Sequence, residues 1–157
     1  MPLPKTIDPD LQQAMDGSLK AYAAGDPKFF DYLSDDVRVY TLNEEAPIIG
    51  RKEFENYFAP TFTKSKREVA TYDEDLHISG SQAILSQMLQ VSANNISVPV
   101  RQTVVWDKTD SGWQMKHIHN ARGGAVINTG NMPLTADGVR VLNERIATAA
   151  AVVGVAQ

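Results

Sequence analysis

The 157-residue sequence contains no cysteine. This absence excludes a disulfide framework, a thiolate nucleophile and a cysteine-based metal site. The sequence also lacks the apolar run of a signal peptide at its start, and no apolar stretch is long enough to span a bilayer. We therefore expect a cytoplasmic protein that does not act at a membrane.

Positive charge is scarce as well. The sequence has 15 Lys and Arg against 19 Asp and Glu, which gives a formal net charge of -4 at pH 7. Nucleic-acid binding requires clustered basic residues that neutralise phosphates. The short basic run from Lys64 to Arg67 is predicted to be a solvated loop. We expect no nucleic-acid partner.

The length and a hydrophobic fraction of 43% predict one domain over residues 1–157, with its core at about residues 8–125. No internal repeat or linker indicates a second domain. A final helix is predicted at about residues 135–153, where apolar residues recur at helical spacing.

Helix signals occupy the first third of the chain. Asp8-Pro9 and Asp26-Pro27 each join an N-cap residue to a proline that suits the first helical turn. Gly25 is predicted to end the first of these helices. Another helix is predicted from Arg51, broken or kinked at Pro60, because proline removes a backbone donor.

The remaining elements alternate with the period of two that is typical of strands. The predicted strands are Val37–Leu42, Val69–Ile78, Ala83–Val91 and the two arms of a hairpin over Val98–Arg122. Helices followed by a strand meander predict an α+β fold. A curved antiparallel sheet wrapped against the helices would enclose a cone-shaped cavity.

The hairpin carries two of the three histidines near its end. Alternation along a strand puts Trp113, Met115, His117 and His119 on one face and Gln114, Lys116, Ile118 and Asn120 on the other. The two sets cannot both line a cavity unless the strand twists or bulges.

Four sequence segments resemble the nuclear-transport-factor-2-like superfamily, also called SnoaL-like. They are Ala24-Gly25-Asp26 with the aromatics that follow, Ile49–Phe54, Asp75–Gly80, and the hairpin ending in Gly112-Trp113 and His117-Ile118-His119. The resemblance covers roughly residues 8–125 and implies the cone-shaped fold with N-terminal helices packed on the sheet. The predicted C-terminal helix lies outside it.

Within the superfamily, the sequence is most similar to the association (hub) domain of calcium/calmodulin-dependent protein kinase II. That resemblance implies a homodimer or a larger homo-oligomer, formed through the outer face of the sheet. The hub family has an arginine directly after the second histidine, and this chain has Asn120 there.

Six residues are candidates for binding a small organic ligand: Tyr40, Tyr57, Arg101, His117, His119 and Asn120. Histidine titrates near neutral pH, so His117 or His119 could act as an acid or base, or the pair could pack at a dimer interface. Arg101 could hold a ligand carboxylate or pair with Asp73, Asp75 or Glu45. In the hub-like orientation Asn120 would line the cavity. Tyr40 could donate to a ligand oxygen or belong to the core. Tyr57 could line the cavity wall or belong to the core.

The sequence leaves two functions open. One is a non-catalytic module that binds a small molecule and assembles through its sheet. The other is a cofactor-independent isomerase, cyclase or dehydratase that uses a pocket histidine as acid or base. We expect no cofactor. We also expect no metal site, because consecutive members of the row Asp73, Asp75 and His77 are about 6.7 Å apart along a strand, too far to converge on one ion.

Overall fold

Both aspartate–proline pairs begin helices, as predicted. The computed structural model describes residues 7–128. Helix α1 spans Pro9–Ala24, a 3₁₀ helix spans Pro27–Tyr32, and helix α2 spans Arg51–Phe62. The Asp8 carboxylate caps α1 by accepting a hydrogen bond from the Asp10 amide at 2.9 Å. Of the predicted break or kink at Pro60, the break does not occur: α2 continues past Pro60 to Phe62.

Asp8 also ties the start of α1 to the sheet. Its carboxylate accepts hydrogen bonds from Lys108 Nζ at 3.2 Å and from Trp113 Nε1 at 3.3 Å. The hydrogen bond from the Asp10 amide is the main cause that lowers the pKa of the Asp8 carboxyl, with the Lys108 and Trp113 bonds adding to it. The helix is therefore anchored to the hairpin at its first residue.

The strands form one curved sheet behind the helices. They are β1 (Leu33–Tyr40), β2 (Ile48–Ile49), β3 (Glu68–Ser79), β4 (Gln82–Ala93), β5 (Ile96–Thr109), β6 (Gly112–Arg122) and β7 (Ile127–Asn128). Six strands lie in the order β2-β1-β6-β5-β4-β3, and β7 pairs with β5 beyond the end of β6. The α+β, cone-shaped fold and the meander β3-β4-β5-β6 are thus confirmed.

Two details of the sheet differ from the prediction. The β1–β6 pair is parallel, whereas the other pairs are antiparallel. No hairpin joins β1 to β6, so adjacency in the chain does not fix their relative direction. The sheet also extends beyond the predicted hairpin, because β7 follows it and adds two residues to the β5 edge.

An aromatic cluster packs the 3₁₀ helix against α2. Phe30 contacts the rings of Phe54, Phe58 and Phe62 with centroid separations of 5.5 to 6.2 Å. Phe54, Phe58 and Phe62 recur every four residues along α2, so they form one buried stripe. Burying side chains of this size contributes about 1.5–3 kcal/mol each.

The basic run Lys64–Arg67 is not uniformly a solvated loop. Lys64 and Lys66 are exposed, but Arg67 is only 4% exposed. Its guanidinium donates to the carbonyl oxygen of Tyr22 at 2.5 Å and to that of Phe62 at 2.9 Å. These carbonyls lie at the C-terminal ends of α1 and α2, where helices lack internal donors. Arg67 therefore joins the two helix ends, and its burial lowers the pKa of the guanidinium.

Within residues 7–128, no helix is long and apolar enough to cross a membrane. The predicted C-terminal helix at about residues 135–153 lies outside the described residues.

Candidate functional site

A cavity of about 150 Å³ lies between the helices and the inward face of the sheet. Its apolar wall comes from both layers: Met15, Leu19, Tyr22, Phe29, Val39, Phe54, Phe58, Leu85, Leu89, Val104, Trp106, Met115 and Ile118. Met15 on α1 and Thr71 and Glu74 on β3 are half-buried and Asp16 is exposed, whereas Val39, Phe58 and Trp106 are fully buried. The cavity therefore opens between α1 and β3 and deepens toward β1.

A row of three carboxamides crosses the sheet face of this cavity. Gln87 on β4 lies opposite Gln102 on β5, which lies opposite Asn120 on β6. Gln87 Nε2 donates to Gln102 Oε1 at 2.9 Å, and Gln102 Nε2 donates to Asn120 Oδ1 at 3.0 Å. We call these three residues the carboxamide ladder. Asn120, the deepest of them, is only 6% exposed.

Two carboxylates lie at the cavity mouth. Asp16 accepts a hydrogen bond from Gln12 Nε2 at 2.9 Å, and Glu74 accepts one from the Thr71 hydroxyl at 2.7 Å. All four of these residues line the cavity, and none of the described residues that line it is a lysine, arginine or histidine. The site is therefore neutral at depth and negative at its mouth.

A bulge in β6 decides which residues face the cavity. Val105 pairs with His117 and Trp106 pairs with Met115, so Lys116 is an extra residue with no partner on β5. Alternation is reset at this point, and Ile118 and Asn120 join Trp113 and Met115 on the inward face. The prediction that His117 and His119 share a face with Trp113 and Met115 is therefore wrong, because it assumed unbroken alternation.

The two histidines lie on the outer face of the sheet with Tyr40. The Tyr40 ring lies 5.5 Å from His117 and 5.2 Å from His119, and the Tyr40 hydroxyl accepts a hydrogen bond from Arg38 at 2.9 Å. Parallel pairing of β1 with β6 sets these contacts, since Arg38 lies beside His117 and Tyr40 beside His119. Partial burial lowers the pKa of His117, and the nearby His119 and Arg38 lower it further.

Arg101 and Tyr57 lie apart from both groups. Arg101 is exposed on the outer face of β5, opposite Met88 and Ala121, and forms no ion pair within the described residues. Tyr57 lies on α2, where its hydroxyl donates to Glu44 at 2.9 Å. Partial burial and the Glu44 carboxylate together raise the pKa of Tyr57 to about 12. Of the six candidates, only Asn120 lines the cavity.

The sequence interpretation missed Gln87, Gln102 and Glu74. The two glutamines lie at alternating positions that face inward with Leu85 and Val104, so strand periodicity contained a signal for them. Glu74 had no such signal, because a second bulge lies between Tyr72 and Asp75 and Asp73 adopts a positive φ of 53° there. Asp73 is therefore not part of a regular same-face row with Asp75 and His77. Among residues 7–128, no cluster of three metal-ligating side chains occurs.

The SnoaL-like domain family matches residues 11–121, which is more than two thirds of the sequence. The chain belongs to the SnoaL-like family. Its fold is that of the nuclear-transport-factor-2-like proteins, as the resemblance implied. Among curated proteins, none matches this chain.

Solved structures with the same fold differ in their names. A protein provisionally named a ketosteroid isomerase from Parabacteroides distasonis is 18% identical with a TM-score of 0.64, covering 76% of this chain and 92% of its own. The S. rosetta CaMKII hub is 20% identical with a TM-score of 0.60, and the match covers 77% of this chain and 100% of the hub chain. An NTF2-like protein of unknown function from Pseudomonas putida is 13% identical with a TM-score of 0.64, covering 82% and 87%. At these identities the likeness establishes the fold alone.

Proposed function

We propose that this protein binds a small, mostly apolar organic molecule in the cavity between its helices and its sheet. One observation carries the proposal: an apolar cavity of about 150 Å³ is crossed by one row of polar side chains. Ligand sites are largely apolar with a few polar groups that orient the ligand. The carboxamide ladder supplies such groups on the rigid framework of three paired strands.

Neighbouring residues of β5 provide a matched test. Val104 lines the cavity, whereas Val105 is half-buried on the outer face opposite Ile84. Val104→Trp should fill the cavity and abolish binding of ring-sized fragments in a thermal-shift and NMR screen. Val105→Trp should leave binding intact. Equal fragment binding by both variants, with both folded by circular dichroism, would contradict the proposal.

The geometry supports binding rather than the histidine-based catalysis that the sequence left open. His117 and His119 lie on the outer face of the sheet, so neither side chain lines this cavity. The acidic side chains that do line it, Asp16 and Glu74, are hydrogen-bonded to Gln12 and Thr71. Among the described lining residues, an acid or base acting on a molecule in the cavity would have to come from this pair or from Tyr22.

Self-association through the outer sheet face forms the second part of the proposal. Ile84 is 41% exposed there, beside the half-buried Val105, with His117 on the next strand. An uncovered apolar group in the middle of a sheet face favours a second copy of the chain as its cover. The S. rosetta CaMKII hub, which has this fold, is named for an assembly domain.

Light scattering tests this association directly. The chain has a mass of 17.2 kDa, so a homodimer or larger oligomer should give at least twice that value. Ile84→Lys should return the mass to that of the monomer. Asn56→Lys, at an exposed residue of α2 on the other side of the sheet, is the control and should leave the assembly unchanged. A wild-type protein with the mass of one chain would refute this part.

A further inference from the structure

The chemistry of the carboxamide ladder narrows the class of ligand. We infer that the cavity selects an uncharged, single-ring molecule carrying a carboxamide or a similar donor–acceptor group, and discriminates against the corresponding carboxylate. This inference rests on the proposed function, because it concerns the same cavity. It follows from the size, the hydrogen bonding and the charge of the site, taken in turn.

The size of the cavity sets the apolar part of the ligand. An enclosed apolar space of roughly 150 Å³ holds one benzene molecule. The cavity has this volume and is walled by Phe58, Trp106 and Ile118 at its deep end. A single six-membered ring with one small substituent therefore matches the space, whereas a fused polycyclic skeleton exceeds it.

The ladder sets the polar part of the ligand. Each of its two internal hydrogen bonds uses one amide nitrogen and one carbonyl oxygen, which leaves a donor at one end and an acceptor at the other. As assigned, the Asn120 amide nitrogen is the free donor and the Gln87 carbonyl oxygen is the free acceptor. If all three amides were flipped, the ends would exchange roles. The two ends lie two strands apart, about 9.6 Å, so a single ligand group meets only one of them. At the deep end, the Asn120 amide keeps an unused N–H and an unused oxygen lone pair in either assignment, so a group that both donates and accepts pairs with it.

Charge separates the carboxamide from the carboxylate. The described residues that line the cavity include Asp16 and Glu74 but no basic side chain. A carboxylate would lose its hydration without a cation to offset the loss, and it would be repelled by the carboxylates at the mouth. A carboxamide of the same shape incurs neither cost. Arg101, which could have held a carboxylate, lies on the other face of the sheet.

Four probes with the same ring distinguish the contributions of size, hydrogen bonding and charge to binding: toluene, benzamide, benzoate and benzamidine. Calorimetry or NMR titration at pH 7 should show benzamide binding at least about tenfold more tightly than each of the other three, a ratio equivalent to about 1.4 kcal/mol. Benzamidine should also bind less tightly, because desolvating its cationic group beside the neutral ladder costs more than its attraction to the solvated carboxylates of the mouth returns.

Asn120→Leu tests the ladder, with Asn56→Leu on the exposed side of α2 as the matched control. The Asn120 variant should retain toluene binding and lose the preference for benzamide, whereas the Asn56 variant should behave as wild type. If Asn120→Leu does not fold, Asn120→Thr carries the test, since threonine suits a strand and keeps an oxygen beside Gln102 but removes the amide.

The outcomes separate the two proposals. Failure of all four probes to bind would refute the proposed cavity-binding function. Toluene binding as tightly as benzamide, or benzoate binding at least as tightly, would refute the carboxamide inference while the cavity-binding function stood. A benzamide preference that persists in a folded ladder variant would also refute the inference, because the preference would then arise elsewhere.

Discussion

The Arg67 guanidinium donates a hydrogen bond to the Phe62 carbonyl oxygen at 2.9 Å and lies over the Phe62 ring, 4.6 Å from its centroid. The same guanidinium bonds the Tyr22 carbonyl at the end of α1 and lies 5.0 Å from the Tyr22 ring. A single side chain therefore satisfies carbonyls at two helix ends and covers two aromatic rings. This arrangement makes Arg67 a structural residue of the helical layer.

We predict that Arg67→Met lowers the free energy of unfolding by about 2–4 kcal/mol, since two buried carbonyls lose a charged donor. Arg67→Lys should lower it by less, because lysine keeps the charge but lacks the planar fork. Urea denaturation measures both. Lys66→Met, at the exposed neighbour, is the control and should stay within about 0.5 kcal/mol of wild type. An Arg67→Met variant with the wild-type free energy of unfolding would contradict the structural role of Arg67.

A glycine next to this junction gives the second prediction. Gly25 ends α1 with φ of 68°, and a Cβ there would lie 2.6 Å from the Ser65 carbonyl oxygen and 2.8 Å from that of Phe62. Gly80 has a similar φ of 59° but open space around it. Gly80→Ala should therefore cost only the left-handed backbone penalty of about 1–2 kcal/mol.

Gly25→Ala should cost clearly more, by at least about 1 kcal/mol beyond Gly80→Ala, because the backbone of the Phe62–Ser65 segment must move. Thermal and urea unfolding of the two variants provide the comparison. Equal losses of stability would show that the close approach at Gly25 is absorbed without strain.

Sequence periodicity predicted the order of elements and their types but not the inward-facing set of polar residues. The errors in β6 and β3 arise at bulges, whereas Gln87 and Gln102 lie in regular strands and were missed although periodicity marked them as inward-facing. The extra residue Lys116 turns Asn120 inward and the histidines outward, and the irregularity at Asp73 turns Glu74 inward. A bulge inserts one residue and reverses every later alternation, yet no residue pattern in these strands marks it. The fold class can therefore be predicted despite such an insertion, whereas the residues that line the cavity cannot.

Arg67 illustrates the other limit. In sequence it belongs to a run with Lys64 and Lys66, and such runs are usually solvated. Its burial depends on the ends of α1 and α2 meeting at one point. The two carbonyls that it binds there lie 45 and 5 positions before it in the sequence, at Tyr22 and Phe62. Local composition contains no information about this meeting.

The Lys116 bulge gives the third prediction. Deleting Lys116 forces either Ile118 and Asn120 out of the cavity wall or the strand out of register with β5. Because Ile118 is 5% exposed, its loss from the core should contribute to a destabilisation of about 3 kcal/mol or more.

Lys116→Ala keeps the extra residue and removes only half-exposed ion pairs to Asp36 and Asp107, at 3.9 and 3.5 Å. It should change stability by less than about 1 kcal/mol. Circular dichroism with urea unfolding compares the two variants. A deletion variant as stable as Lys116→Ala would mean that the bulge is dispensable.

The last prediction concerns pH. Partial burial, His119 and Arg38 lower the pKa of His117 below its ordinary value of 6.5. The unfolded chain therefore binds a proton at His117 more readily than the folded chain does. Stability should be full above pH 6.5 and should fall as the pH drops from 6.5 through the lowered folded-state pKa.

Urea unfolding between pH 7.5 and 5.5 should show this decline in the wild type and a flatter profile in His117→Gln. His77→Gln, at an exposed position on β3, is the matched control and should keep the wild-type profile. NMR titration of the ring protons adds a sharper readout, because His119→Gln removes one of the named causes and should raise the pKa of His117. An unchanged pKa of His117 in that variant would contradict the effect of His119 and would leave burial and Arg38 as the causes of the lowered pKa.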